Sequence, residues 1–496
     1  MGNKNSTSLT SEEVEEYAEL TYLKKREIIR AFSRFRSIDP LTVDENSMTR
    51  LRYDLIRDNV AEIKVMKSDS AAAGERRLPL ADLLLVLFGI SSWVAVNGVW
   101  AELPLLVAAL PEGWALPSYL SVIVQLANLG PVLYSVLRAR LSGRASRLDV
   151  VAVYTMVTVG AAACLLSGLL WRRTSVIGGT SHSTALFTLV FFIALVDCTS
   201  SVVYVPYTAR FKHGYLVSYM IGEGLSGLLP SLVALIQGVG GNAECVNGTD
   251  ANGSVVPVPA ELQPRFAVDD FFYFLCSMMV VSGVAFALLQ HLPRLAPARE
   301  PADGAAPVGE PAAAAGCPLP PPGPATPVAL SAMAPLLLLQ AAISLLANGV
   351  LPSVQSYSVL PYGNVAFHLV ATLSLMANPA ACLVLYAAPV RRPVVAAGWA
   401  ALGGLCAVYL LVTAALSPTP PLQGTAAGQA LVVLGWVLFV GLTTYSKVGI
   451  ASLLRPYGGR ALFWYGAATQ AGSTLGALAA FLAVNVFDAF QGYYPC

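Results

Sequence analysis

Long apolar runs separated by short polar loops dominate the chain after its first 79 residues. A run of about 20 apolar residues is long enough to cross a bilayer as an α-helix. Eleven such runs lie near residues 80–103, 118–137, 149–171, 183–205, 214–238, 267–290, 328–351, 363–388, 393–417, 427–452 and 459–486. The pattern predicts an all-α polytopic membrane protein with about eleven transmembrane helices.

A segment rich in Pro, Ala and Gly, residues 291–327, divides these runs into two groups. Its composition is typical of a flexible linker. We therefore expect a first transmembrane half of six helices at 80–290 and a second half of five at 328–496. Residues 1–79 hold nearly half of the chain's 30 Lys and Arg and 29 Asp and Glu residues, and we interpret them as a charged, partly helical cytosolic leader.

Basic residues in the loops predict the orientation, because cytosolic loops carry an excess of Lys and Arg. With the N-terminus inside, the inner loops hold Arg138, Arg140, Arg144, Arg147, Arg210, Lys212, Arg294, Arg299, Arg391, Arg392, Arg455 and Arg460. The outer loops hold Arg172, Arg173 and Arg265. An odd number of spans then places the C-terminus outside.

Modification motifs agree with this orientation. The loop after the fifth run, on the predicted outer side, contains N-glycosylation sequons at Asn247 and Asn252, with two chance sequons as the alternative. The first residues fit the N-myristoylation pattern at Gly2, which requires a cytosolic N-terminus.

Short polar motifs recur in the same order in both groups of runs, which indicates an internal repeat. Asn97-Gly98-Val99 of the first run matches Asn348-Gly349-Val350 of the seventh, and Ala-Asn pairs follow at Asn128 and Asn378. Both motif-bearing runs cross in the same direction, so the halves are parallel repeats. That is the major-facilitator arrangement, in which substrate binds near the midplane between the halves.

Polar side chains in the first and seventh runs predict a ligand cavity. Trp93, Asn97 and Trp100 have the spacing i, i+4, i+7 and share one helical face. Asn348 and Gln355 are seven residues apart on the equivalent run. Indole rings there would stack a planar ligand and amides would bind its edges. The alternative interpretation is that the amides join helices to one another.

Five ionisable residues lie within the apolar runs, where a charge is costly and often functional. They are Glu102, Asp197, Glu223, Lys447 and His368. Glu223 is interpreted as a functional carboxylate, with a protonated or paired structural carboxyl as the alternative. Asp197 and Lys447 occupy similar regions of the two halves and are candidates for an ion pair across the cavity.

Other interpretations stay open for three of these residues. Lys447 is close enough to the inner interface to extend its amino group towards it. Glu102 is either a gate residue or a solvated helix end. His368 is either a group that titrates near neutral pH or a structural residue.

Several classes of function are not indicated. The chain has no P-loop and no catalytic motif of the H-E-x-x-H, G-x-S-x-G or G-x-G-x-x-G type, so neither enzyme activity nor use of ATP is expected. The eight Cys show no metal-ligand spacing, and no cofactor is expected. A net charge of +1 argues against a nucleic-acid partner. A receptor or scaffold, which needs no polar faces at mid-membrane, is a weaker alternative to a transporter.

The motifs SWVAVNGVWAELPLLV, LPEGWALPSYLSVIVQLANLGP, FFIALVDCTSSV, GEGLSGLLPSLVALIQG, NGVLPSVQSYS and SPTPPLQG occur in order along the membrane region. Residues 80–490 thereby resemble the riboflavin transporters of solute carrier family 52, most nearly its member 3. The resemblance implies uptake of riboflavin across the plasma membrane through eleven spans, sensitive to pH and independent of sodium.

A neutral, planar tricycle with a polyol tail suits the predicted cavity. Trp93 and Trp100, with Tyr204 as a third ring, would stack the ligand, and Asn97, Asn348 and Gln355 would bind its edges. Glu223 and Asp197 are the candidates for a proton-sensitive step. A transporter of another neutral planar metabolite, such as a nucleoside, remains the alternative.

Two parts of the chain depart from the family pattern. The family's SPCP element reads SPTP from Ser417, so a disulfide through that Cys is absent, and we predict a bridge between the outer Cys245 and Cys496 instead. Residues 1–64 resemble the beginning of calcium- and integrin-binding EF-hand proteins, but they contain no EF-hand loop and predict no calcium site.

Overall fold

The computed structural model describes residues 78–141, 145–208, 210–212, 215–242, 245–249, 255–259, 263–298, 330–457 and 459–492. Within these ranges ten helices are long and apolar enough to cross a membrane, and there are eleven spans if one bent pair counts as a single span. The prediction of an all-α protein with about eleven spans is confirmed. The leader up to residue 77, most of the linker, Gly2, Asn252 and Cys496 lie outside the described residues.

The first half begins with the bent pair, α1 (Pro79–Ile90) and α2 (Val94–Ala109), with a bend of 51° between them. A 3-10 turn at Gly113–Ala115 leads into α3 (Leu116–Ala127) and α4 (Leu129–Arg140), which together form the second span. The remaining spans are α5 (Ala145–Leu170), α6 (Thr184–Thr208), α7 (Tyr215–Gln237) and α8 (Val268–His291), and a 3-10 segment, Pro293–Ala298, follows.

The second half also begins with an irregular span. Helix α9 (Leu330–Ser344) continues into a π-helical segment, Leu345–Val350, and then into α10 (Leu351–Ser353) and α11 (Gln355–Val359). After a 3-10 turn at Leu360–Tyr362 come α12 (Asn364–Ala387), α13 (Pro393–Ala415) and α14 (Ala426–Leu454). A 3-10 turn at Arg455–Tyr457 precedes the last span, α15 (Gly459–Asn485).

Two short antiparallel hairpins, which the hydrophobic pattern does not predict, lie at one end of the bundle. Strands β1 (Ser175–Ile177) and β2 (Thr180–His182) are joined by Gly178-Gly179, both with positive φ (61° and 90°), as a two-residue type I′ turn requires. Strands β3 (Cys245–Thr249) and β4 (Val255–Pro259) form the second hairpin. We call this the hairpin end, and the opposite end, where α8 leads towards α9, the linker end.

The β3 strand carries two of the residues singled out in the sequence. The Asn247 side chain is exposed, as a glycan acceptor must be. Cys245 takes part in a disulfide. Because Cys496 lies outside the described residues, the predicted bridge between these two residues stays a prediction.

Each half packs its first span against its fifth through backbone contacts at glycine. A Cβ atom on Gly222 of α7 would lie 2.1 Å from the Val86 carbonyl oxygen of α1. In the second half a Cβ atom on Gly476 of α15 would lie 2.2 Å from the Leu345 carbonyl oxygen. Only glycine allows helix backbones to approach so closely. The predicted repeat is therefore visible in the packing as well as in the motifs.

A buried carboxylate joins three spans at the linker end. Asp149 of α5, with 2% of its side chain exposed, accepts hydrogen bonds from Arg138 Nε of α4 at 3.1 Å and from Arg210 Nη2, after α6, at 2.7 Å. The Tyr134 hydroxyl of α4 donates to the same carboxylate. Both carboxylate oxygens are thus paired, as a charge withdrawn from water requires.

Candidate functional site

A cavity of about 560 Å³ lies between the two halves, and both halves contribute to its wall. This volume is within the range of about 300–1,000 Å³ that is usual for small-molecule sites. The wall extends to Leu462, in the first turn of α15 at the linker end. In the other direction it includes Trp100 and Gln355. The cavity therefore extends from the middle of the bundle towards the linker end.

At the hairpin end the halves are joined by hydrogen bonds. Ser356 Oγ donates to the Trp114 carbonyl oxygen at 2.5 Å, and Asn485 Nδ2 donates to Ser118 Oγ at 2.7 Å. The backbone N–H of Val365 donates to Asn242 Oδ1 at 3.1 Å. The structure thus represents a state in which the hairpin end is closed over the cavity.

Seven of the eleven residues predicted for substrate binding, proton sensing or gating contribute to the cavity wall. They are Trp93, Asn97, Trp100, Glu223, Asn348, Gln355 and Lys447. From Ser91 to Trp100 every residue is buried except Trp93, Asn97 and Trp100, which are half-buried. The shared face inferred from their spacing is thus the face that meets the cavity.

The Asn97 amide lies close to α7 but forms no hydrogen bond with the described residues of that helix. A Cβ atom on Gly227 would lie 3.3 Å from Asn97 Nδ2, so the absence of a side chain there makes room for the amide. Among the described residues the Asn97 side chain makes no hydrogen bond. Both its donor and its acceptor are therefore available to a ligand.

The Asn348 amide, at the equivalent motif position, is engaged by the protein. Its Nδ2 donates to Ser473 Oγ at 3.1 Å. Its Oδ1 accepts from Lys447 Nζ at 3.4 Å. The Lys447 amino group is therefore directed into the cavity wall and not towards the membrane surface, which removes the alternative that it extends to the inner interface.

Glu223 combines a close helix contact with access to the cavity. Gly222, the preceding residue, packs against the backbone of α1, and on the other side of Glu223 a Cβ atom on Gly224 would find Pro379 Cβ no closer than 4.0 Å. This α7 segment thus turns one face to its neighbour and presents the next to the cavity. Within the described residues no hydrogen-bond donor contacts the Glu223 carboxylate.

Tyr204 does not belong to the cavity, and the suggestion that it stacks the ligand is wrong for this structure. Its ring is fully buried, 4.5 Å from the Phe88 ring between centroids, and its hydroxyl lies 3.4 Å from Ser91 Oγ. On α6 it shares a face with Asp197 and Ser200, which meets α1 and α2. The cavity face of α6 carries Cys198 and Ser201.

Asp197 is also away from the cavity wall. Its side chain is fully buried, and Oδ2 accepts a hydrogen bond from the backbone N–H of Val96 at 2.8 Å. Since Lys447 donates to Asn348, the ion pair suggested between Asp197 and Lys447 is not formed in the part of the chain that the structure describes.

Glu102 and His368 lie outside the cavity wall. Glu102 is 1% exposed and accepts a hydrogen bond from Gln237 Nε2 at 2.9 Å, so the interpretation as a solvated helix end is wrong. His368 is buried on α12, one turn before the cavity-lining Ala371, and its Nε2 has no hydrogen-bond partner within the described residues. Their roles as gating groups stay predictions.

Several polar wall residues were not predicted as site residues. Asn128 and Asn378 line the cavity, although in the sequence they served only as markers of the repeat. Gln125, Gln340 and Trp436 also line it. Repeat equivalence was the available signal for the two Asn residues, because equivalent positions of two parallel halves face the same central axis.

Comparisons with known proteins identify the family of this chain. The family model described as solute carrier family 52, riboflavin transporter, matches residues 77–492. The riboflavin transporter member 3-A of Danio rerio is 42% identical over 83% of this chain and 97% of its own length. The member 3 protein of Homo sapiens is 40% identical over 84% of this chain and 98% of its own length.

Among solved structures, a D-xylose–proton symporter covers 82% of this chain and 90% of its own, with a TM-score of 0.48 and 15% identity. The match of the family model covers all of the described residues and therefore every segment that builds the cavity wall. The chain belongs to solute carrier family 52, the riboflavin transporter family.

Proposed function

We propose that the chain carries riboflavin into the cell by alternating access, with the cavity between the two halves as its binding site. The observation that carries the proposal is the face formed by Trp93, Asn97 and Trp100, where two indole rings flank an amide that has no protein partner among the described residues. Aromatic faces suit a planar tricycle. A free amide provides an NH₂ donor group and an acceptor oxygen for the edge of such a ring.

The closed hairpin end and the cavity that extends towards the linker end support the transport step. In parallel-repeat transporters the halves rock about a fixed site, which opens first one end and then the other. The opposite state would break the hydrogen bonds of Ser356 to Trp114 and of Asn485 to Ser118, which join the halves in this structure.

Uptake of labelled riboflavin into cells that express the chain tests the proposal. We expect saturable uptake that lumiflavin inhibits and nucleosides do not, because the paired indole rings favour the tricycle. Inhibition by nucleosides alone would identify another planar metabolite as the substrate. A surface-expressed chain without uptake of either would favour a receptor or scaffold.

The orientation belongs to the same proposal. We place the hairpin end outside the plasma membrane, with a cytosolic N-terminus, an extracellular C-terminus and a glycan on the exposed Asn247. The basic residues around Asp149, at the linker end, then face the cytosol, as the positive-inside rule expects. Glycosidase treatment of intact cells should increase the mobility of the chain on a gel. An unchanged mobility would contradict glycosylation at this end.

Glu223 is the residue that we assign to the pH response of uptake, which should not require sodium. It is the acidic residue of the cavity wall, and no donor among the described residues contacts it. Because Gln has nearly the same shape and is neutral at every pH, Glu223→Gln should make uptake nearly independent of external pH. Glu102→Gln is the comparison variant, since Glu102 is bonded to Gln237 away from the cavity. A flattened profile in Glu102→Gln with an unchanged one in Glu223→Gln would move the pH response to Glu102.

A further inference from the structure

The bend between α1 and α2 leaves backbone groups that neither helix satisfies. A helix that begins has N–H groups without an intrahelical partner, and one that ends has such carbonyl groups. Inside a bilayer no water is present to replace these partners. Trp93, the N-cap residue of α2, provides no side-chain hydrogen bond to the helix that it begins. Ser91 Oγ and Ser92 Oγ, at the bend itself, donate to the carbonyl oxygens of Phe88 and Gly89. Further partners come from neighbouring helices.

Helix α6 provides them on both sides of the bend. Asp197 Oδ2 accepts from the N–H of Val96, in the first turn of α2, at 2.8 Å. One turn further along α6, Ser200 Oγ lies within donating distance of the Ser92 carbonyl oxygen, at 2.9 Å, and shares its hydrogen with the Asp197 carbonyl oxygen at 2.7 Å. A carboxylate at the beginning of a helix is also favoured by the helix dipole. The VDCTSS motif of α6 thus secures the bend of the first span.

Asp197 contacts the backbone of a cavity-lining residue without lining the cavity itself. Val96, whose N–H it binds, lines the cavity and directly precedes Asn97. Asp197 itself is fully buried and contributes nothing to the wall. We infer that Asp197 is a positioning residue, whose carboxylate fixes the beginning of α2 at the angle that presents Trp93 and Asn97 to the ligand. The inference rests on the riboflavin transport proposed above, and it gives Asp197 no part in the pH response.

Two substitutions separate this role from a proton-transfer role. Asp197→Asn keeps the shape and one acceptor oxygen for the N–H of Val96, so its KM for riboflavin should stay within about threefold of wild type and its pH profile should be unchanged. Asp197→Leu has a similar volume and no acceptor. It should raise KM roughly tenfold at equal surface level, because the unpaired N–H of Val96 no longer holds the beginning of α2 in place.

A double-mutant cycle tests whether the effect passes through Asn97. If it does, Asp197→Leu should raise KM less in an Asn97→Ala background than in wild type, whereas its effect should be additive with Asn348→Ala. Additivity with Asn97→Ala, or an unchanged KM in Asp197→Leu, would overturn the inference.

The Asn variant decides the question alone if the Leu variant fails to reach the cell surface. A wild-type pH profile with KM within threefold supports positioning. A pH profile as flat as the one expected for Glu223→Gln overturns it in favour of a proton role. A wild-type chain that takes up no riboflavin contradicts the proposed function itself, and this control is measured before any variant is compared.

Discussion

The Asn-Gly-Val motifs of the two halves have the same letters and different structures. Asn97 follows the bend that begins α2, and its amide faces the cavity without a hydrogen bond from the described residues. Asn348 lies in the π-helical segment Leu345–Val350, and its amide is bonded to Ser473 and Lys447. A helix break and a π-helix both interrupt regular hydrogen bonding, and π-helical turns are frequent at functional sites.

The difference indicates that the Asn residues of the two repeats have different roles. In the first half the interruption is secured from outside by Asp197 and Ser200, which leaves the Asn side chain for the ligand. In the second half the Asn side chain itself joins two helices. The sequence leaves ligand contact and interhelical bonding as alternatives for both Asn residues. The structure shows interhelical bonding for Asn348, and we propose ligand contact for Asn97.

The largest expected difference between the two motifs concerns their glycines, Gly98 and Gly349. Their substitution by Ala should lower the stability of the fold by different amounts. A Cβ atom on Gly349 would lie 2.6 Å from the backbone nitrogen of Ala477, whereas one on Gly98 would lie 2.5 Å from Cδ1 of Leu275. Backbone atoms cannot move aside as a leucine methyl can. Gly349→Ala should therefore destabilise the protein by more than ~3 kcal/mol and Gly98→Ala by ~1–2 kcal/mol.

Thermal unfolding of the detergent-solubilised variants, followed by size-exclusion chromatography, measures this difference. The expected order is a large fall in melting temperature and yield for Gly349→Ala and a small fall for Gly98→Ala. Equal decreases in melting temperature would contradict the prediction that the Gly349 motif is packed more tightly than the Gly98 motif.

The next largest expected difference concerns Asn97 and Asn348, whose substitution by Ala should lower uptake by different amounts. Asn97→Ala removes a ligand contact and should lower uptake efficiency by about tenfold or more, since a polar group of the ligand would be left unpaired. Asn348→Ala removes a contact within the protein, and we expect a loss of about threefold. Uptake at several riboflavin concentrations, normalised to surface-biotinylated protein, provides the measurement. A larger loss for Asn348→Ala would reverse the assignment.

The hydrophobic pattern predicted the spans well, because the length of an apolar run is dictated by the bilayer. The runs near 393–417 and 459–486 correspond to Pro393–Ala415 and Arg460–Asn485. The bend of the first span had no such signal. It occurs at Ser91-Ser92-Trp93, without Pro or Gly, whereas Pro104 lies within α2 and does not end it. Tertiary partners stabilise the bend: Asp197 and Ser200 of α6, and Ser282 of α8, whose Oγ donates to the Phe88 carbonyl oxygen at 2.8 Å. Spacing along one helix does not show them.

The sequence predicts correctly which residues of one helix share a face. It does not predict which face of a helix meets the cavity, because that depends on how neighbouring helices pack. Helical spacing placed Trp93, Asn97 and Trp100 on one face correctly. For α6 spacing alone did not decide which face meets the cavity, so Tyr204 was assigned to the wrong one. For Glu102 the sequence leaves a gate residue and a solvated helix end as alternatives, and the second is wrong because Gln237 of α7 packs over the carboxyl group.

The smallest expected effect concerns the space around Asn97. Gly227→Ala would bring a Cβ atom to 3.3 Å from Asn97 Nδ2, which is tight enough to displace the amide by a few tenths of an ångström. Because ligand contacts depend on such distances, we expect KM to rise about threefold. Gly404→Ala on α13 is the control, since its new Cβ would meet no atom within 4 Å and Gly404 does not line the cavity, and it should leave KM unchanged.

Asn97 is the residue through which this crowding should act, and a second substitution tests that. In an Asn97→Ala background the amide is absent, so Gly227→Ala should have no further effect on KM. If Gly227→Ala still raised KM threefold there, the glycine would serve the approach of α7 to another group, such as the Leu375 carbonyl oxygen at 3.8 Å from the new Cβ. In that case the position of the Asn97 amide would not depend on its contact with α7.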